Sequence, residues 1–334
     1  MATTTLPEAS RTDPPLPLGE RDRGAWGDVA FKALAGLAAL SVLVILGFIA
    51  VVMTHEAWAA LSKSGLDFFT SDRWIPNSVN GKPPHFGATA FMFGTAVVSA
   101  IALVIAVPLS FGVALFATEI TRHRFSGPFI AILDLLAAVP SVVFGLWGIL
   151  VVAPNIIGFY DRVHDVLGPV PVVGSLFGEN PAGRSLMTAG LILGLMIVPI
   201  TSSIMREVLR TVPQSERDGA LALGATRWEM IRGVVVPHSL GGMVGGVMLG
   251  LGRAMGETIA VALTIGSSAQ ITASLFKAGD AMPAYIVNQW GEATGDFRSA
   301  LVALGVVLFI MTIVVNIAAR AIVDRAERRM RGAL

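Results

Sequence analysis

Charged residues are placed along this chain so that six apolar runs lie between them. Each is long enough to cross a bilayer core of about 30 Å, which takes roughly 20 helical residues. The runs fall near 29–53, 86–118, 127–153, 185–205, 239–267 and 299–319. Lys32 lies near the start of the first, Asp134 in the third, and Arg253 and Glu257 in the fifth. Strands of a membrane barrel would alternate in segments of about ten residues. These runs are longer and uniformly apolar, and they predict helices, because a helix satisfies its own backbone polar groups in lipid. Pro108, Pro140 and Pro199 fall inside or near the ends of three runs, and each predicts a bend where a backbone donor is missing.

The polar segments set the orientation, since Lys and Arg collect on the cytoplasmic side. One alternating set holds fifteen of them: Arg11, Arg21 and Arg23, then Arg122 and Arg124, five in the segment 206–238, and five from Arg320 to Arg331. The other set holds seven, from Lys63 to Arg298. Both termini are therefore expected in the cytoplasm, on a multi-pass protein of the plasma (inner) membrane. Residues 1–28 include Asp13-Pro14-Pro15-Leu16-Pro17 and read as a disordered cytoplasmic tail; residues 326–334 read as a second, shorter one. The first apolar run is about twice the length of a signal-peptide core, so it reads as a retained anchor. Trp74, Tyr160, Tyr285 and Trp290 fall in the outer segments, where amphipathic rings suit a lipid–water boundary.

Composition sharpens this picture. Of 334 residues, 54% are hydrophobic and 14% charged, against about a quarter charged in a soluble domain. With 24 basic and 23 acidic residues the net charge of +1 is uninformative. The absence of cysteine excludes a disulfide-stapled domain and a cysteine-ligated zinc or iron–sulfur centre. A membrane-embedded hydrolase needs a nucleophile and a base at one depth, but His55, His85, His123, His164 and His238 all sit in loops or at run ends.

The segment 206–238 carries the densest pattern. Ser215 with Asp218, and Thr226 with Glu229, have the spacing of capping boxes. Gly224 lies between them, suited to the left-handed turn that ends a helix. The expectation is a short helix, a glycine turn and a second helix running towards Pro237. A helix of about eight residues is marginal alone and needs docking. The small residues Gly219, Ala220, Ala222 and Ala225 leave room for a close partner. The acids among its arginines, and its tethers at both ends, make it a poor reader of DNA, so no nucleic-acid partner is expected. The plain alternative is a loop that only caps its own helices.

Asp218-Gly219-Ala220, Gly224 and Val234-Val235-Val236-Pro237 resemble, in identity and spacing, the EAA loop of importer-type ABC transporter permeases. Asp218 stands where Glu is usual and Gly219 where Ala is usual; the Gly costs roughly 1 kcal/mol of helix propensity. The resemblance implies an all-α integral membrane protein of six transmembrane helices with a cytoplasmic coupling-helix loop. It also implies that Asp218, Gly219, Ala220, Gly224, Thr226, Arg227, Trp228 and Pro237 face an ATPase subunit. This chain has no Gly-x-x-x-x-Gly-Lys-[Ser/Thr] phosphate loop, so ATP and Mg are expected to be used by that partner, with no cofactor and no metal site in this chain.

Within the fifth run Arg253 lies deep in the bilayer, where an arginine costs about 2.5–3.5 kcal/mol and calls for a partner or a wet cavity. Glu257 follows at i+4, on the same face of a continuous helix, and Asp134 is a further candidate counter-ion. Two readings stand: an internal ion pair, or an arginine that meets an anion crossing the membrane, for which its forked donors are suited.

The segment Leu251-Gly252-Arg253-Ala254-Met255-Gly256-Glu257-Thr258 is similar to the Gly-Arg-Ala-x-Gly-Glu-Thr segment of phosphate-specific transport permeases. Ala138-Val139-Pro140-Ser141-Val142-Val143-Phe144-Gly145 is similar to the same proteins, and Ile286-Val287-Asn288-Gln289-Trp290-Gly291 and Phe297-Arg298-Ser299-Ala300-Leu301 favour the PstC-type subunit. The resemblance spans about 29–325. It implies a permease subunit, not an enzyme, paired with a PstA-type permease, a PstB-type ATPase dimer and a PstS-type phosphate-binding protein. Inorganic phosphate would then pass Arg253, Glu257 and Asp134 by alternating access. A PstA-like or other oxyanion permease, and an ATP-independent secondary anion carrier, remain as alternatives.

Overall fold

A computed structural model describes residues 25–78, 83–121, 123–180 and 182–331. The tail expected at 1–28 lies, up to residue 24, outside the described residues. The chain divides into two compact units, Met1–Val52 and Met53–Leu334. In the first, helix α1 (Ala25–Ser64) begins and carries exposed apolar side chains such as Phe31, Leu37, Leu43 and Phe48. Lipid is the solvent that such a surface suits.

In the second unit, α1 ends and is followed by α2 (Asp67–Thr70) and a minimal antiparallel hairpin, β1 (Trp74–Ile75) with β2 (His85–Phe86), in which Trp74 faces Phe86. Helix α3 (Thr89–Leu115) passes into a π-helical turn, Phe116–Ile120. Then come α4 (His123–Ala137), α5 (Ser141–Trp147) and α6 (Ala153–Leu167), the last two joined by a π-helical turn at Gly148–Val152. Next are α7 (Leu186–Arg210), α8 (Gln214–Ala222) and α9 (Arg227–Met230), which a third π-helical turn, Ile231–Val235, links to α10 (Val236–Gly256). The chain ends with α11 (Ile259–Thr264), α12 (Met282–Gln289) and α13 (Gly295–Arg331). Helix α13 therefore extends through most of the segment expected as a C-terminal tail.

Six helical stretches among the described residues have the length and hydropathy to cross a membrane. The third is displaced from the expected 127–153 to Ser141–Leu167. Pro140 is the cause: at φ −59° and ψ 142° it leaves the helix and starts α5, because its ring cannot be placed in a helix interior without losing a donor and clashing. The shift moves Tyr160 from an expected outer loop onto α6, where it is buried, stacks on Phe276 at 4.0 Å and shares a hydrogen bond of 2.8 Å with the Thr188 hydroxyl. The fifth stretch stops at Gly256, because Glu257 is extended. Pro108 and Pro199, by contrast, lie inside helices that continue past them.

Helix α7 is the centre of the packing. Its Gly190 and Gly194 lie against Ile101, Ala102 and Ile105 of α3, and Gly242, Gly246 and Gly250 of α10 lie against Val208, Ile204 and Thr201 on another face of α7. Small residues let the backbones approach closely, which is the main source of helix association in lipid. Where the second and sixth spans begin, Phe68, Trp74, Phe86, Phe91, Tyr285 and Phe297 form an aromatic cluster. Gly94 abuts the backbone carbonyl of Asp280, where a Cβ would clash.

Asp280 is 3% exposed, and its carboxylate accepts only the Ala281 backbone N–H, at 2.9 Å, among the described residues. Burial outside the spans pushes its pKa from 3.8 up to about 7. Between these values the folded protein keeps a proton that the unfolded chain releases, so stability falls as pH rises through that window and levels off above it. Asp280→Asn is expected to remove this slope from thermal melts in detergent and to melt higher than the parent at about pH 8. Equal slopes in the two proteins would show that the buried carboxyl does not set it.

Candidate functional site

The segment between α7 and α10 folds as two short helices around a turn. Pro213, at φ −58° and ψ 137°, starts α8 one residue before Ser215 can cap it. The Ser215–Asp218 box therefore does not form; Asp218 accepts instead from Gln214 Nε2 at 2.9 Å. Gly224 takes φ +88°, the left-handed region that a side chain would strain. The second box does form: the Glu229 N–H donates to Thr226 Oγ1 at 3.3 Å, and Glu229 Oε2 accepts from the Thr226 N–H at 2.8 Å. Helix α9 does not stop at Pro237. The chain widens into a π-helical turn just before it and continues as α10, with Pro237 in the first turn, where no donor is required.

An ion pair and a carboxylate–imidazole contact fasten this segment. The Arg217 guanidinium meets the Glu119 carboxylate at the end of the second span through Nη1, and Nη2 donates to the Leu209 carbonyl at 2.7 Å. Both side chains are largely buried, at 13% and 6% exposed. On the same helix Glu216 Oε2 lies 3.1 Å from His238 Nδ1, at the start of α10. The other side of the segment is bare: Leu223 is 92% and Trp228 63% exposed, and a Cβ added at Gly219 or Gly224 would meet nothing. Ala220 packs inward, while Asp218 and Arg227 are exposed. The segment is thus held from behind and presents exposed apolar side chains on its free side. Sequence reasoning missed the Arg217–Glu119 pair, although Glu119 is the first charge after a chargeless run.

The charges expected within the spans separate. Arg253 is in the last turn of α10 and Glu257 is its extended C-cap, so the helical i+4 geometry expected for them is absent, and no ion pair joins them among the described residues. Glu257 is buried, and its Oε1 accepts the Ala260 N–H at 3.4 Å at the start of α11. Asp134 lies 3.9 Å from Arg206 Nη2, not beside Arg253. The break at Pro140 explains this, since it puts Asp134 on the short helix α4 that crosses the end of α7. Arg206 is 8% exposed in its side chain and also donates to Ser203 Oγ at 3.0 Å.

Arg253 opens instead on a groove of about 910 Å³ between α7, α10 and α13, whose lining includes Ile200, Gly241, Gly245, Met248, Gly252, Asn316 and Arg320. A Cβ at Gly245 or Gly252 would meet nothing within 4 Å, so open space lies over the backbone at these two positions. A guanidinium beside such space can hold an oxyanion through paired donors.

Residues 110–332 match the family described as the inner membrane component of binding-protein-dependent transport systems. The chain belongs to that family. It is 40% identical to the phosphate transport system permease protein PstC of Xylella fastidiosa (strain 9a5c), over 98% of this chain and 99% of that one. It is also 40% identical to PstC of Mesorhizobium japonicum, over 92% and 93% of the two chains. Its fold is similar to that of a bacterial ABC transporter involved in the import of alginate, with a TM-score of 0.58 at 17% identity, covering 90% of this chain and 98% of that one. The protein is thus an all-α, multi-pass membrane component with the importer-type ABC permease fold.

Removing one member of a buried ion pair costs about 3–5 kcal/mol, whereas replacing both with apolar residues is often neutral. Arg217→Ala is therefore expected to lower the melting temperature of the purified chain clearly, and the double change Arg217→Met with Glu119→Leu to restore most of it. A single variant that melts like the parent would mean that the pair is not fastening α8.

Proposed function

We propose that this chain is the PstC-type permease subunit of an ATP-driven inorganic phosphate importer, forming half of the substrate path and coupling to a separate ATPase. The observation that carries the reading is the near full-length similarity to phosphate permeases, at 40% identity over 98% of the chain. The exposed Arg253 in its groove supports it. A PstA-type permease would supply the other half of the path. A PstS-type protein would deliver phosphate outside, and a PstB-type dimer would hydrolyse ATP with Mg inside. Both termini and the α8–α9 segment lie on that inner side in this reading.

The residues divide the work. The α8–α9 segment, with Leu223 and Trp228 outward, seats in the ATPase. Motion of that partner passes through Arg217 to Glu119 on the second span and through Glu216 to His238 on the fifth. Arg253 holds the anion with two N–H donors. Glu257, fixed by the α11 backbone next to it, repels a fully ionised phosphate and accepts a hydrogen bond from one that keeps a proton. Asp134 serves the path indirectly, by holding Arg206 at the end of α7.

Two variants test this in vesicles containing the complete complex. Arg253→Gln is expected to assemble but to lose ATP-dependent phosphate uptake; parental uptake by that variant would remove Arg253 from the path. Gly224→Pro, whose ring fixes φ near −65°, is expected to lose copurification of the ATPase, and retention of a stoichiometric ATPase would show that it docks elsewhere. Arsenate and sulfate as competitors define the oxyanion class. Phosphate uptake by this chain alone, without ATP, would favour a secondary carrier.

A further inference from the structure

The groove that Arg253 opens on holds a second cation. Arg320 lines it, with Asn316 one turn earlier on the same face of α13. No ion pair joins either arginine to a side chain that the structure describes, and the side chain of Asp324 is not among those. Successive spans cross in opposite senses, so the last turn of α10 and the late part of α13 approach opposite ends of the groove. Along α10 the lining runs from Gly241 to Arg253, a rise of about 18 Å at 1.5 Å per residue. The groove is thus several times longer than one phosphate and has room for more than one holding point.

We propose that Asn316 and Arg320 form a second anion-holding point, which receives the oxyanion after Arg253 and before its release on the ATPase side. This rests on the reading of the chain as a phosphate permease. A single arginine that holds an anion tightly also retains it. Conduction needs sites that bind well enough to admit the ion and that are multiple or weak enough to let it leave. Arg320 supplies the charge, and the Asn316 amide supplies a neutral N–H donor. Gly241, Gly245 and Gly252 widen the groove between the two points, where Val244, Met248 and Leu249 supply its apolar lining. The competing role for Arg320 is an anchor whose charge reaches the headgroups, as arginines near span ends do. An anchor of that kind would hold no phosphate in the groove, so phosphate would not shield a thiol placed there.

The chain has no cysteine, so Gly245→Cys places a lone thiol in its groove, at a position with room for a Cβ. In the assembled complex, with cysteine-free partners, its rates of reaction with an anionic and a cationic methanethiosulfonate of equal size are compared. The anionic preference is expected to fall about tenfold when Arg320→Gln is added, and Arg320→Lys is expected to keep most of it. Inorganic phosphate is expected to slow the anionic reagent when Arg320 is present and not in Arg320→Gln. A preference unaffected by Arg320→Gln, or a thiol that neither reagent reaches, overturns the proposal. A complex that imports no phosphate, but still shows the Arg320-dependent preference, would sink the phosphate reading and leave the second anion point standing.

Discussion

The ion pair between Arg217 and Glu119 is the contact on which the rest of the arrangement depends. It joins residues 98 positions apart, one on a short helix that is marginal alone, the other at the end of an otherwise uncharged span. Without it, α8 would be tied by its chain ends, the packing of Ala220 and the half-exposed Glu216–His238 contact. With it, the outward face of Leu223 and Trp228 is presented on a base that is tied to the second span. In the proposed function, that tie and the Glu216–His238 contact are what carry a displacement of α8 to the second and fifth spans.

Glycine has a second structural use in the same molecule. On α10 one set, Gly242, Gly246 and Gly250, lies against α7, and another, Gly241, Gly245 and Gly252, lines the groove. One helix therefore packs tightly on its neighbour and leaves space on its other side. Its last turn carries Arg253 to the edge of that space, and the extended Glu257 ends the helix there. The break separates arginine from carboxylate, so the guanidinium keeps its donors for something other than its neighbour.

Much of this was legible in the chain. The apolar runs, the left-handed turn at Gly224 and the Thr226–Glu229 box follow from local rules, and the structure contains them. The third span was misplaced because Pro140 was read as a bend, whereas a turn and a new helix form there. The Ser215–Asp218 box failed because Pro213 sets the start of α8 first. The Arg253–Glu257 pairing assumed a helix that Glu257 itself ends. Partners distant in sequence, Arg217 with Glu119 and Asp134 with Arg206, depend on how α3, α4 and α7 cross, which no periodicity encodes. Arg320 was counted only as a charge that marks the inner side, because its place in the groove depends on the packing of α13 against α10.

The central claim is that α8 drives the path through its buried pair, and its most direct test is the ratio of phosphate imported to ATP hydrolysed. It is measured in vesicles holding the full complex with Arg217→Met and Glu119→Leu in this chain. The pair is then replaced by apolar packing, so the protein remains folded. The account expects hydrolysis to continue while imported phosphate per ATP falls steeply below that of the parent. An unchanged ratio would contradict it.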